Sequence, residues 1–135
     1  MILSLHDIHV MKEENRILEG VSLDVPEGSF FVLMGPTGCG KTTSLRVAGL
    51  LEKPDRGNVR FRGVPGPRRG RERLKVRRRM ATVCQSPVMF RGSVRSNLEW
   101  GPGIRGFSRV ETASRLDEAV ALTGLEGFLE RDAST

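Results

Sequence analysis

The run Gly35-Pro36-Thr37-Gly38-Cys39-Gly40-Lys41-Thr42 constrains this chain more than any other feature. It fits G-x-x-x-x-G-K-[ST], the pattern of a phosphate-binding loop. Glycines at these spacings let the backbone curl until several N–H groups point inward at phosphate oxygens. A helix opening near Lys41 adds the positive end of its dipole. In such a loop the Lys41 ammonium reaches the β- and γ-phosphates, and the Thr42 hydroxyl ligates Mg²⁺. The flanks give the loop its context. Phe30-Phe31-Val32-Leu33-Met34 reads as a strand covered on both faces, and Leu45, Ala48, Gly49 and Leu50 read as the helix that follows. A bare glycine turn without a ligand is the alternative, and the strand–loop–helix order argues against it.

The rest of the composition bounds the answer. At 135 residues the chain is long enough for about one domain. Hydrophobic residues at 38% and charged ones at 28% exclude wholesale disorder. No apolar stretch reaches the roughly 18 residues of a membrane span, and the N-terminus lacks the basic start and cleavage site of a signal peptide. Cys39 and Cys84 are too few for a disulfide framework and suit a reducing compartment. These features point to a soluble cytoplasmic domain.

Along the chain, residues 2–10 and 17–25 read as strands, and 26–29 as a turn. Residues 54–57 form another turn, followed by a short strand at 58–61. Residues 63–70 hold too many Gly and Pro for regular structure, and 80–84 is strand-like. Farther on, Val110, Ala113, Leu116, Ala119, Val120 and Leu122 share one face at helical spacing, with Gly124 as the stop. Two motifs are decoys. Leu116-Asp117-Glu118 sits in this helical period, which makes Asp117 and Glu118 exposed charges. Gly101-Pro102-Gly103-Ile104-Arg105-Gly106 spells G-x-G-x-x-G but follows no strand, and is expected to be a loop. His6 and His9 lack a partner cluster and read as strand residues, not metal ligands.

The charge of +6 is uneven. Arg68, Arg69, Arg71, Arg73, Lys75, Arg77, Arg78 and Arg79 stand against the single acid Glu72. Such a run could meet nucleic acid phosphates, but it holds no aromatic residue for base stacking. A solvated helix and loop is the simpler expectation, with no specific nucleic-acid partner.

Several segments together resemble the N-terminal half of an ATP-binding cassette (ABC) ATPase. Leu18-Glu19-Gly20-Val21-Ser22-Leu23-Asp24-Val25-Pro26-Glu27-Gly28 resembles the strand and turn before the family's P-loop strand. Residues 49–59 match the segment after its P-loop helix. Cys84-Gln85-Ser86-Pro87-Val88-Met89-Phe90 and Ser93-Val94-Arg95-Ser96-Asn97-Leu98 resemble the Q-loop and the start of the helical subdomain.

The resemblance implies an α/β P-loop NTPase of ABC type: an antiparallel β-subdomain, an incomplete RecA-like core and the start of a helical subdomain. The first two would span residues 1–92 and the last 93–135. It implies ATP and Mg²⁺ as ligands, held by Gly35, Pro36, Thr37, Gly38, Cys39, Gly40, Lys41, Thr42 and Thr43. Thr43 would lie near the α-phosphate, and Thr42 and Gln85 would serve the Mg²⁺. Residues 89–100 would receive a coupling helix. The partners implied are transmembrane transporter subunits and a second ATP-binding subunit, at the inner face of the cell membrane. The function implied is that of an ATP-binding subunit, in the style of stand-alone bacterial ones. The alternatives are a soluble, non-transport ABC ATPase or another P-loop nucleotide-binding protein.

The sequence also departs from the family. The aromatic residue that often stacks on adenine would fall near Lys12, and the chain has no tyrosine. No signature motif, Walker B carboxylate or switch histidine occurs between Met1 and Thr135, so the C-terminal half of a cassette is absent from these residues. These residues alone are therefore expected not to turn over ATP. The P-loop strand is expected to keep one unpaired apolar edge.

Overall fold

The alternating N-terminal residues fold as a long hairpin, β1 (Leu3–Lys12) and β2 (Asn15–Val25). This hairpin opens a computed structural model that describes residues 1–67, 70–86 and 88–133. The chain divides into two units, Met1–Val83 and Cys84–Thr135. In the first unit, β3 (Arg56–Phe61) and β4 (Val64–Pro65) extend the hairpin into an antiparallel sheet of order β2-β1-β3-β4.

The inward spacing along β1 is not a strict alternation. Leu5, Ile8 and Val10 are buried, and the register slips between Leu5 and Ile8, where Asp7 takes a left-handed φ of 49°. The bulge aims the carbonyls of His6 and Asp7 at β3. Gly57 meets them there at φ 86°, and a Cβ on it would collide with both carbonyl oxygens. Only glycine fits that crossing.

Helix α1 (Lys41–Ala48) lies on the inner face of this sheet. Val47 and Ala48, with Leu50 just beyond, join Leu5, Ile8, Val10, Leu18 and Val59 in the core. Each Leu, Ile or Val among them contributes about 1.5–3 kcal/mol when fully buried. The last helix of this unit, α2 (Gly70–Arg77), has no buried residue, as expected of a solvated basic segment. Arg68 and Arg69 of the basic run, and Pro87 of the Q-loop segment, lie outside the described residues.

Two expected strands are not formed. Residues 30–34 and 80–84 carry no ladder, and Phe30, Met34 and Val83 are 94%, 83% and 93% exposed. A strand meant to be covered on both faces holds its shape through neighbours on each side. None of the described strands pairs with either segment. The expected single open edge is therefore a wholly unpaired segment. Met80 and Val83 of the other segment, with Leu45 and Ala48, help line an open groove of about 540 Å³.

In the second unit, α3 (Val94–Ile104) and α4 (Arg109–Thr123) pack together, followed by a 3₁₀ turn at Glu126–Phe128. Ser93 caps α3 by accepting the Ser96 N–H. Ser108 and Glu111 form a full capping box on α4, and Gly124 ends that helix at φ 68°. The structure also departs from the sequence reading elsewhere. Gly101–Ile104 lies inside α3 instead of forming a loop, with Pro102 tolerated near the helix end. On α4 only Leu116 and Val120 are buried, while Val110 and Leu122, at the two ends, are each 80% exposed. Residues 63–70, expected to be irregular, contribute the two-residue β4.

Candidate functional site

The glycine loop leads directly into α1. Gly35, Gly38 and Gly40 take φ values of 155°, 84° and 90°. Few other residues adopt such angles without strain, so these glycines make the curl possible. Gly40 sits at the N-cap with no side-chain hydrogen bond, and the first turn holds no acidic residue. The helix therefore opens with uncapped N–H groups and its dipole unopposed, the arrangement that attracts an anion. The first intrahelical bond at this end runs from the Ser44 N–H to the Gly40 carbonyl at 2.8 Å.

Lys41 folds back across the loop. Its Nζ donates to the Gly35 carbonyl at 2.8 Å and the Pro36 carbonyl at 2.6 Å, and lies 3.7 Å from Cys39 Sγ. An ammonium held this way is oriented over the loop by neutral carbonyl partners. Thr42 is exposed at the start of the helix, with its hydroxyl open to a ligand. Thr43 is buried. Pro36, Thr37, Gly38 and Cys39 are exposed along the rim.

What seats the loop was not legible in the motif. Gly40 lies against β2: a Cβ there would stand 2.6 Å from Leu18 Cδ2 and 2.8 Å from the Ile17 carbonyl oxygen. This contact bridges more than twenty residues of chain, and no local pattern announces it. A second brace ties the Lys12 end of β1 to α1. Glu52 accepts from Lys12 at 3.1 Å and pairs with Arg46 at 2.9 Å. Burial raises the Glu52 carboxyl, but the hydrogen bonds from Lys12 and Arg46 outweigh it and hold the group below the ordinary glutamate value. Lys12, at the position expected to lack an aromatic, is thus engaged by a carboxylate.

Gln85 belongs to the second unit, in an exposed bend beside Cys84. Gly35 through Thr43 are thus gathered in one unit, and Gln85 stands in the other. Nearby, Asn97 accepts the Phe90 N–H at 2.8 Å and donates to the Phe90 and Ser93 carbonyls, each at 3.0 Å. That clamp fixes Phe90 against Trp100, with ring centroids 4.4 Å apart. Asp117 and Glu118 are exposed on α4, as the helical period implies. Among the described residues no group of three or more His, Cys, Asp or Glu is arranged to hold a metal ion. A Mg²⁺ here would be held by Thr42 together with the phosphates it accompanies, and the open hydroxyl fits that donor set.

The chain is similar to known proteins along most of its length. The family model described as ABC transporter matches residues 18–135. An Fe(3+) ions import ATP-binding protein, FbpC, of Escherichia coli is 36% identical over 118 residues, covering 87% of this chain and 33% of that protein. A spermidine/putrescine import ATP-binding protein, PotA, of Rubrobacter xylanophilus is 40% identical over 123 residues, covering 87% of this chain and 30% of its own. The chain thus spans about a third of the length of the curated relatives it matches. Among solved structures, cbiO1 of Clostridium perfringens, part of the transporter complex cbiONQ, superposes with a TM-score of 0.85 at 23% identity over 97% of this chain and 53% of its own. A dimeric ATP-binding cassette in a post-hydrolysis state bound to ADP and Pi gives a TM-score of 0.78 at 27% identity, over 98% and 62%. The fold is that of an ABC-type P-loop NTPase in part, and the chain belongs to the ABC transporter family.

Proposed function

We propose that this chain is the nucleotide-binding portion of the ATP-binding subunit of a bacterial ABC transporter, and that it holds MgATP in the loop at residues 35–43. The observation that carries the reading is the loop itself. Left-handed glycines, the uncapped start of α1 and the Lys41 ammonium converge on one point of the first unit. Lys41 neutralises the β- and γ-phosphates, the N–H groups of the loop and first turn bind their oxygens, and Thr42 takes the Mg²⁺. Bound Mg²⁺ supplies charge neutralisation of the phosphates. Gln85, an amide that can accept and donate without adding charge, suits the metal and its waters.

The relatives' names support the transporter setting, since FbpC and PotA are import ATP-binding proteins. In that setting the chain sits at the inner face of the membrane, through transmembrane subunits that dock on residues 89–100, and pairs with a second ATP-binding subunit. No helix among the described residues is long and apolar enough to cross a membrane. Hydrolysis also needs a carboxylate that orients the attacking water, and Asp117 and Glu118 face solvent on α4. These residues alone therefore bind nucleotide without turning it over. Phosphate release tests this, measured on the chain alone and with a separately expressed C-terminal half of a related cassette. Silence alone and Lys41-dependent release in the mixture are expected. Lys41-dependent release by the chain alone would overturn the division of labour.

A further inference from the structure

Helix α2 carries a charge pattern that the nucleotide site does not use. Its inner side is fixed to the first unit: Val76 packs against the core, and Arg73 donates to the Leu50 carbonyl through Nε at 3.1 Å and Nη2 at 2.8 Å. The helical bonding runs on past the end of the helix, with the Arg78 N–H donating to the Leu74 carbonyl at 2.9 Å. Spacings of four and three place Arg71, Lys75 and Arg78 on one face, opposite Val76 and Arg73. All three are exposed. Lys75 meets Glu72 at 2.7 Å, whereas the Arg71 and Arg78 side chains meet no carboxylate among the described residues. Arg79 extends the patch, with its guanidinium 5.4 Å over the Phe61 ring.

We propose that this outward face of α2 is a docking surface for the anionic phospholipid headgroups of a bilayer. The proposal rests on the transporter reading above, which places the chain beside a membrane. Three observations favour lipid over nucleic acid. The ring beside these arginines, Phe61, is already covered by Arg79, and no Phe, Trp or Tyr occurs from residue 62 to 89, so no row of rings is offered to successive bases. The charges lie on one rigidly anchored face, which suits a planar layer of phosphates. Finally, Leu74 is the one large apolar side chain exposed on α2, too little for insertion, so the face adsorbs at headgroup level chiefly by charge. Each basic residue near an anionic surface changes partitioning about five-fold, so three together give on the order of 100-fold.

The test is co-sedimentation of the full chain with phosphatidylcholine vesicles, with and without phosphatidylglycerol. Arg71→Gln, Lys75→Gln and Arg78→Gln combined should lower partitioning onto the phosphatidylglycerol vesicles on the order of 100-fold. A control, Arg60→Gln, Arg105→Gln and Arg109→Gln combined, removes the same charge elsewhere and should change it only a few-fold. Added salt should release the wild type. Equal loss in both variants would overturn the proposal, as would equal binding to phosphatidylcholine alone or tighter binding to duplex DNA at the same salt. Should the triple variant unfold, the single Arg71→Gln carries the test with about a five-fold loss. MgATP binding is measured in parallel. Vesicle binding by a chain that binds no MgATP would refute the nucleotide site and leave this surface standing.

Discussion

Replacing Gly40 by alanine asks the phosphate loop to hold a Cβ where β2 already stands. The added carbon would lie 2.6 Å from Leu18 Cδ2 and 2.8 Å from the Ile17 carbonyl oxygen, at φ +90°. A leucine methyl can swing aside, but a carbonyl inside a strand is fixed by the sheet. Gly38 supplies the comparison, because its φ of +84° is nearly the same and nothing lies within 4 Å of its added Cβ. Left-handed backbone costs an L residue about 1–2 kcal/mol, and the stiffer unfolded chain returns about 0.4–1 kcal/mol. Gly38→Ala should thus destabilise by roughly 0–1.5 kcal/mol. Gly40→Ala adds overpacking against β2, a further ~1–3 kcal/mol. For a domain of this size, 1 kcal/mol moves the melting temperature by several degrees. Thermal unfolding followed by circular dichroism should therefore place Gly40→Ala several degrees or more below Gly38→Ala. Equal melting temperatures would refute the seating of the loop on β2.

Other variants probe separate links. Thr42→Ala should weaken ATP binding mainly when Mg²⁺ is present; an equal loss with and without the metal, by calorimetry, would remove Thr42 from the metal site. The folded pKa of Glu52 lies below its unfolded one, so its contribution is present above the ordinary glutamate value and lost as pH falls through the folded value. Glu52→Gln should accordingly flatten the fall in melting temperature on the acid side; a fall as steep as in the wild type would contradict the brace. Ser108→Ala should cost about 1 kcal/mol through loss of the α4 N-cap, read as lower stability of the second unit in denaturant.

The parts that were legible in the sequence are those governed by short-range rules. The loop at residues 35–42 declares itself because phosphate cradles demand glycine at fixed spacings. The α4 stop at Gly124 follows from the left-handed backbone that ends many helices. Phe30-Phe31-Val32-Leu33-Met34 shows the limit of such rules. Its apolar run records what the segment is suited to, but a ladder needs partners, and none of the described strands provides one. The seat of Gly40 on Ile17 and Leu18 was equally hidden, since it depends on how the hairpin lies over α1. So was the Glu52 brace, which joins Lys12 and Arg46 across the fold. The bulge at Asp7 broke the alternation of β1, and only the crossing by Gly57 makes that break intelligible.

Isothermal calorimetry of MgATP on the wild-type chain and on Lys41→Ala puts the nucleotide site to the test. Lys41 is the side-chain cation that the loop itself orients, donating to the Gly35 and Pro36 carbonyls at 2.8 and 2.6 Å. Saturable binding by the wild type and no detectable heat of binding in Lys41→Ala, at unchanged melting temperature, is the predicted result. Unchanged affinity in Lys41→Ala would contradict it and move any nucleotide away from residues 35–43.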